Sequence, residues 1–404
     1  MSVPKTPSVS VVIPVRNEAA LIKRSLSSVM AQDYLMSQVE VLIVDGMSTD
    51  GTRQIVEDIV RTRGRGSGGG GRGHERNPAP GTGRPTPEVP SLGVLGGSIR
   101  LLDNPGRIVP KALNLAIREA RGRWLVRLDA HSVYPPDYVR RCIETAESTG
   151  EDNVGGVIET LPRDGSLGAR LVQALSTSSF GVGGARFRVG GKEGPADTVV
   201  FGCFRREVFD EVGLFDERLV RNQDYEFNRR LKAAGKRIWL NPAIKVQYYN
   251  QATLGGLFRQ AFGTGKWNRW MWYVAPYAFA ARHAVPGLFV LCLLVVLGSS
   301  FIVYRSWIAL AVVLVPYFVL ALVAAVQQGL RFGFALSLPL PALFFAYHAS
   351  YGLGTLWGAV RLLVRATPVQ RIREPWPGAG RYRAYQGRSQ RSRAKSQESK
   401  PPKP

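Results

Sequence analysis

Three groups of side chains in this sequence have the types and spacing to do chemistry. The first is Asp129-Ala130-His131, which ends the apolar run Trp124-Leu125-Val126-Arg127-Leu128. An acid and an imidazole separated by one residue leave the same face of an extended segment. A carboxylate oxygen and an imidazole nitrogen on one face can hold a divalent cation and leave positions open for phosphate oxygens. The same pair also reads as an aspartate that caps a turn beside a surface histidine. The second group is Asp45-Gly46-Met47-Ser48-Thr49-Asp50-Gly51-Thr52, two acids and two glycines directly after an apolar run. Here Asp50 or Thr52 is suited to cap a following helix, and Asp45 also reads as a plain turn former. The third is Asn222-Gln223-Asp224-Tyr225-Glu226, whose carboxylates suit a general base or the solvated face of a charged helix.

These groups need elements to hold them. The residues from Ser8 to Pro14 and from Val39 to Val44 are continuous apolar runs, as in central strands buried on both faces. A third strand is expected from Ser98 to Leu102, and a fourth ends at Asp129. Helical patterns lie between them, through Leu21, Leu26, Val29 and Met30, from Arg53 to Val60, and from Pro110 to Arg121 with Gly122 just beyond. This alternation predicts an α/β fold, a mostly parallel sheet with helices on both faces. Ligands of such sheets bind at the carboxyl ends of the strands, where Asp45 and Asp129 fall. Further on, a helix is expected from Tyr138 to Thr145 and a strand from Val154 to Thr160. Phe180 to Gly191 reads as a glycine-rich basic loop near a substrate, containing Arg186 and Arg188. Two short strands, Ile238 to Asn241 and Ile244 to Tyr248, complete the domain, which spans residues 1–250.

Residues 61–95 interrupt it. They are rich in Gly, Arg and Pro and cannot bury enough apolar surface to offset their ordering entropy, so they read as a disordered insertion. The alternative, an RNA-contacting Arg-Gly segment, lacks interleaved aromatics and repeats. The formal net charge of +23, from 53 Lys+Arg against 30 Asp+Glu, suits a polyanionic partner. Much of that excess sits in the insertion and the tail, and no recognition-helix or stacking pattern appears, so nucleic acid is not the expected partner. Cys142, Cys203 and Cys292 are far apart and suggest neither a disulfide framework nor a zinc site. No apolar core of signal-peptide length occupies the start, so the first domain is expected in the cytosol.

The remaining chain points to a membrane. Residues 251–283 mix aromatic and basic side chains, with Trp267, Trp270 and Trp272 beside Lys266 and Arg269, as in an interfacial segment or an aromatic core helix. Three uncharged stretches follow, Ala284 to Tyr304, Ser306 to Leu330 and Phe332 to Val360, each longer than the roughly 20 residues that span the hydrocarbon core. Transmembrane helices are therefore expected over 284–363, in a multi-pass plasma-membrane protein whose catalytic domain is cytoplasmic. The third stretch, with Pro339, Pro341 and His348, also suits a kinked or re-entrant segment. Residues 364–404 form a basic tail, expected to be disordered. Three full crossings would put that tail outside, whereas its Arg and Lys favour the cytosol.

Taken in order, these motifs resemble the family 2 glycosyltransferases, whose catalytic domain has the nucleotide-diphospho-sugar transferase fold. The likeness is carried by Pro14 with Arg16-Asn17-Glu18, Asp45-Gly46 with Ser48, Asp50 and Gly51, then Asn114, the strand ending at Asp129, and Asp224 in Gln-Asp-Tyr-Glu. It covers about residues 8 to 250. Arg127-Leu128-Asp129-Ala130-His131 and the Gly183–Arg188 loop look most like the membrane-associated exopolysaccharide enzymes of the succinoglycan type.

The resemblance implies a nucleotide-diphospho-sugar donor, expected to be a UDP-sugar, a lipid-linked acceptor, and a divalent cation, Mg2+ or Mn2+. Pro14, Glu18, Asp45, Asp50, Asn114, Asp129, Arg186 and Arg188 would contact substrate. Asp129 and His131 would hold the metal, and Asp224 would be the general base of an inverting transfer. The family's common Asp-x-Asp is Asp-Ala-His here, and its Glu-Asp pair before the base is Gln223-Asp224, which leaves Glu226 a second candidate. A polyprenyl-phosphate sugar synthase or an idle sugar-nucleotide binder are the alternative readings.

Overall fold

The computed structural model describes residues 8–65, 98–299 and 306–369. The chain divides between Glu144 and Thr145 into two compact units.

The first unit alternates strands and helices. In chain order they are β1 (Val9–Val15), α1 (Ile22–Met30), β2 (Val39–Asp45), α2 (Thr52–Arg65), β3 (Ser98–Asp103), α3 (Val109–Glu119) and β4 (Trp124–Arg127). A two-residue strand, β5 (Ser132–Val133), follows, and α4 (Tyr138–Thr149) continues past the unit boundary. The four main strands run parallel in the order β3-β2-β1-β4. β1 and β2 are buried along their whole length, as their unbroken Val and Ile runs require. Pro14 sits in central strand β1, where proline would normally cost a ladder bond. The Val12 carbonyl accepts from Leu128 N on the β4 side, so by alternation the position of Pro14 N faces that side too. The β1–β4 register ends at Val12↔Arg127, and no bond is lost.

Two expectations shift here. β4 ends at Arg127, so Asp129 and His131 lie in the turn beyond it rather than on an extended strand. The helix after β2 continues to Arg65, into the first residues of the expected insertion. The rest of that insertion, like the basic tail from residue 370, lies outside the described residues.

The second unit holds β6 (Asn153–Leu161), α5 (Leu167–Ser176), α6 (Ser179–Val182), α7 (Arg186–Val189), β7 (Gly194–Pro195), β8 (Val200–Arg205), α8 (Glu207–Val212), α9 (Gln223–Ala233) and β9 (Ile238–Tyr249). Its strands are mixed: β6 pairs parallel with β9 and antiparallel with β8, and β7 pairs antiparallel with β9. The expected loop from Phe180 to Gly191 contains the two short helices α6 and α7, separated by Gly183 and Gly184, both at φ 68. The two short strands expected near 240 are one strand. Its register jumps between Gly155↔Leu240 and Val157↔Lys245, and Asn241 Oδ1 accepts from Ala243 N at 2.8 Å to close the bulge.

The unit continues through α10 (Leu254–Val274), α11 (Ala281–Ser299), α12 (Ser306–Phe332) and α13 (Leu340–Leu363). Among the described residues two helices are long and apolar enough to cross a membrane, Ala281–Ser299 and Trp307–Phe332. The third expected span is corrected. A positive φ at Gly333 and a turn at Phe334–Leu336 separate α13 from α12, and α13 spends its small-residue face on α10. A Cβ on Gly354 would come within 2.1 Å of the Phe262 carbonyl oxygen, and one on Gly265 within 2.1 Å of that of Tyr351. Such backbone approach is what small residues permit between helices. Trp270, expected in an interfacial belt, is buried instead and donates from Nε1 to the Gly358 carbonyl at 3.1 Å. α5 shares a core with these helices, in which Leu171, Val172 and Leu175 join Ala321, Ala324 and Phe344.

Candidate active site

In the first unit the loops after β1 and β2 are stitched together by their own polar groups. Asn17 takes a left-handed φ of 55; its N–H donates to Ser48 Oγ at 3.0 Å and its Oδ1 accepts from Thr49 N at 2.9 Å. Glu18 N donates to Thr52 Oγ1 at 2.8 Å. Asp50 accepts from Ala19 N at 3.0 Å, from Thr52 N at 3.0 Å and from Thr52 Oγ1 at 2.5 Å. These bonds, the Thr52 hydroxyl first, hold the Asp50 carboxyl below its ordinary range. The side chain is thus occupied in fixing the start of α2 and the loop contact. Asp45 ends β2 and is 1% exposed; Oδ1 accepts from Ser48 Oγ at 2.6 Å and Ser48 N at 3.1 Å, and Oδ2 lies 3.5 Å from Arg53. A carboxylate can accept about four hydrogen bonds, so capacity remains for a ligand donor. Asn114 is buried within α3.

The turn after β4 is clamped at its backbone and open at its side chains. Asp129 N donates to the Tyr134 hydroxyl at 2.6 Å, and the Asp129 carbonyl accepts from that hydroxyl at 3.2 Å and from Ser25 Oγ at 3.1 Å. Tyr134 is 2% exposed; burial, then the Asp129 charge, pushes its hydroxyl far above its ordinary pKa, so it stays protonated in this clamp. Above the clamp, Asp129 Oδ1 accepts from Arg127 at 2.9 Å, and Oδ2 stands 3.9 Å from His131 Nε2. His131 Nδ1 lies 3.3 Å from Glu18 Oε1. The pair expected from an extended strand therefore meets through a turn. Burial alone would lower the His131 imidazole, but the hydrogen bond to Glu18 and the charges of Asp129 and Glu18 outweigh it and raise it above its ordinary value.

That geometry can be tested against a cation. Two ligands each about 2.1 Å from a metal can stand up to about 4.2 Å apart, so the 3.9 Å between Asp129 Oδ2 and His131 Nε2 falls within reach. A carboxylate on the far imidazole nitrogen, here Glu18, is the usual partner that orients a metal-binding histidine. Among the described residues no group of three or more His, Cys, Asp or Glu side chains is arranged to hold a metal, so the pair would need further oxygens from substrate or water.

In the second unit, α9 treats its two acids differently. Glu226 is 0% exposed, paired with Arg230 at 2.6 and 2.9 Å, and accepts a further bond from the Tyr277 hydroxyl. Arg230 is itself fixed by the Val212 and Leu214 carbonyls at 3.1 and 2.6 Å. This removes Glu226 as an accessible base. Asp224 stands in the first turn of α9, partly exposed. The helix start is pinned from outside: Asn222, at φ 66, donates to Asn268 Oδ1 at 2.9 Å and to the Thr264 carbonyl at 3.3 Å, and Asn268 in turn donates to the Tyr351 hydroxyl. Arg186 donates to the Pro195 carbonyl at 2.7 Å and to that of Lys192, so its guanidinium braces its own loop. Arg188 lies over the rings of Phe187 and Tyr248, 5.5 and 5.8 Å from their centroids.

Sequence reasoning missed Arg127 as the partner of Asp129, Tyr134 as the clamp, and Arg230 with Tyr277 as the anchors of Glu226. The Glu226–Arg230 spacing of four residues was a legible signal. The tyrosine clamp left none.

Residues 10–72 and 91–213 match the family described as Glycosyl transferase family 2. The succinoglycan biosynthesis protein ExoA of Rhizobium meliloti (strain 1021) is 31% identical over 337 residues, 79% of this chain and 91% of that protein. This chain belongs to glycosyl transferase family 2. A second relative of this glycosyltransferase, 23% identical over 87% of the chain and 97% of its own length, is the dolichyl N-acetyl-alpha-D-glucosaminyl phosphate 3-beta-D-2,3-diacetamido-2,3-dideoxy-beta-D-glucuronosyltransferase of Methanococcus voltae. Among solved structures, a mannosyltransferase from Pyrobaculum calidifontis, in complex with GDP-Man and Mn2+, aligns with a TM-score of 0.53 at 19% identity, covering 88% of each chain, a likeness of fold.

Proposed function

We propose that this family 2 glycosyltransferase moves a sugar, with inversion, from a nucleotide-diphospho-sugar onto a lipid-linked glycan acceptor in the synthesis of an exopolysaccharide or other cell-surface glycan. The observation that carries the reading is the chain Glu18–His131–Asp129–Arg127, with gaps of 3.3, 3.9 and 2.9 Å, held over a clamped turn. The succinoglycan and dolichyl relatives support the class of acceptor.

In this proposal Asp45, Asp50 and Glu18 hold the nucleotide end of the donor, a UDP-sugar, with Pro14 and Asn114 shaping the floor. Asp129 and His131 hold Mg2+ or Mn2+, which when bound supplies Lewis-acid relief for the charge gathering on the leaving diphosphate. Glu18 keeps the imidazole oriented, and Arg127 keeps Asp129 ionised and turned toward it. Asp224 takes the proton from the acceptor hydroxyl. That oxygen attacks the anomeric carbon, a new glycosidic bond forms, and the diphosphate leaves with the electron pair of the broken bond. One displacement inverts the centre, the logic that also governs inverting glycosidases. Arg188 faces the acceptor, and Arg186 shapes the loop that presents it.

The proposed layout is a catalytic region at 1–250, an interfacial segment at 251–283 and membrane helices within 284–363, with the catalytic part on the cytoplasmic side of the plasma membrane. The test is a screen of nucleotide-sugars with membranes containing the protein, read by nucleoside diphosphate release. Release that depends on one donor and on added lipid extract supports the reading. A protein that binds donors but releases no diphosphate under any lipid condition is an idle binder, and the proposal fails.

A further inference from the structure

The arginines around α9 divide by their partners. Arg230 is held by Glu226 at 2.6 Å, and Arg218 by Asp216 at 2.6 Å. Arg229 donates to the Tyr277 carbonyl at 3.4 Å. Arg221 is different: it is partly buried, yet among the described residues it has neither a carboxylate in ion-pair range nor a hydrogen-bond acceptor. Its guanidinium lies against α10, with Nε and Cζ 3.8 and 3.9 Å from where a Cβ on Gly263 would stand. The backbone beside it is fixed, because Asn222 is tied to Thr264 and Asn268. Burial lowers the Arg221 pKa and only the charge of Tyr248 opposes it. A desolvated cation without a counter-ion is costly, and one kept in a pinned segment suits a ligand that brings the negative charge.

A second guanidinium shares the neighbour. Arg188 lies 5.8 Å from the Tyr248 ring centroid and its other contact is the ring of Phe187, so it too lacks a carboxylate among the described residues. Two guanidinium groups that converge on one tyrosine, without acids, match the geometry by which arginine binds phosphate oxygens in pairs. Arg221 is three residues from Asp224, and the same unit carries the two helices apolar enough to cross a membrane.

We propose that Arg221 and Arg188 form an anion site for the phosphate or diphosphate ester of the lipid-linked acceptor. It rests on the lipid-acceptor reading above and adds the residues that would recognise that lipid's charged group.

The test uses the full chain with phosphatidylcholine vesicles carrying polyprenyl diphosphate, against vesicles carrying neutral polyprenol, read by co-flotation. Wild-type protein should prefer the diphosphate vesicles. Arg221→Gln should weaken that binding roughly tenfold to a hundredfold, the range for losing a charge-assisted bond. Arg221→Lys, which keeps the charge, should lose less. Asp224→Asn should bind as wild type, because the site does not depend on turnover. Affinity for free UDP, measured by calorimetry, should be unchanged in Arg221→Gln. If wild type shows no preference for the diphosphate, the lipid-acceptor reading fails and the site with it. If the preference is real but survives in both Arg221→Gln and the Arg188→Gln/Arg221→Gln double variant, the site alone is wrong. A matching loss of UDP affinity in Arg221→Gln would assign the arginine to the donor and also overturn the proposal.

Discussion

The turn after β4 and the first turns of α9 both present acids, and they use them in opposite ways. At the turn, the backbone does the holding. Tyr134 and Ser25 fix Asp129 through its N–H and carbonyl, so its carboxylate is left with Arg127 on one oxygen and a 3.9 Å gap to His131 on the other. In α9, a side chain does the holding. Glu226 is consumed by Arg230 and Tyr277 inside the core, and this fixes the helix so that Asp224, two residues earlier, can remain partly exposed. The lesson is that an acid's sequence context does not tell its job. What separates a structural carboxylate from a reactive one is whether the fold has already filled its lone pairs.

The comparison can be broken first at α9. Asp224→Asn keeps size and hydrogen bonding but removes the basicity, and should lower transfer by roughly two to four powers of ten while donor binding by calorimetry stays unchanged. Near-normal transfer by this variant would remove Asp224 from the mechanism. Glu226→Gln should act on stability instead. It leaves Arg230 buried beside a neutral group, at a cost of about 3–5 kcal/mol in denaturant unfolding, with folded protein still active. Selective loss of transfer at full stability would reverse the two roles.

At the turn, His131→Ala should reduce cation-dependent turnover with little change in melting temperature, and His131→Asp should keep more activity than Ala. A normal cation titration for His131→Ala would make the histidine a bystander. Glu18→Gln should be milder, weakening cation affinity about ten- to a hundredfold by loosening the imidazole, as partners of metal ligands usually do. Unchanged affinity would show that the 3.3 Å contact to His131 is incidental. The smallest effect is expected from replacing residues 66–90 with a short Gly-Ser linker. Each doubling of loop length costs only about 0.6 kcal/mol of closure entropy, so folding and turnover should survive.

Much of the first unit was legible because its strands are unbroken runs of Val and Ile and its helices carry caps and breakers at their ends. Asp45 falls at the expected strand end, and Asp129 just past one. What could not be read was anything that depends on a distant partner. β4 stops at Arg127 because the chain must turn to bring Asp129 N and the Tyr134 hydroxyl together, a contact that no local pattern encodes. α13 looked like a third membrane span because its glycines and aromatics are uncharged. Its close approach to α10, visible only in three dimensions, is what those glycines serve. Arg186 and Arg188 looked equivalent in sequence, two residues apart, yet one is spent on carbonyls and the other lies on rings.

The hydrogen-bond chain from Asn222 through Asn268 to Tyr351 has a practical consequence for anyone preparing this enzyme. A shortened version ending near Asn250, the obvious choice for crystallisation or soluble expression, would remove Asn268 and Tyr351 together. The Asn222 amide would lose both of its acceptors, and the left-handed residue at the head of α9 would be free to relax. The same cut would strip Ala321, Ala324 and Phe344 from α5 and leave Leu171, Val172 and Leu175 facing water. Such a fragment could still bind nucleotide through the first unit and yet fail to transfer sugar. Its inactivity would then report the missing scaffold and say nothing about the chemistry.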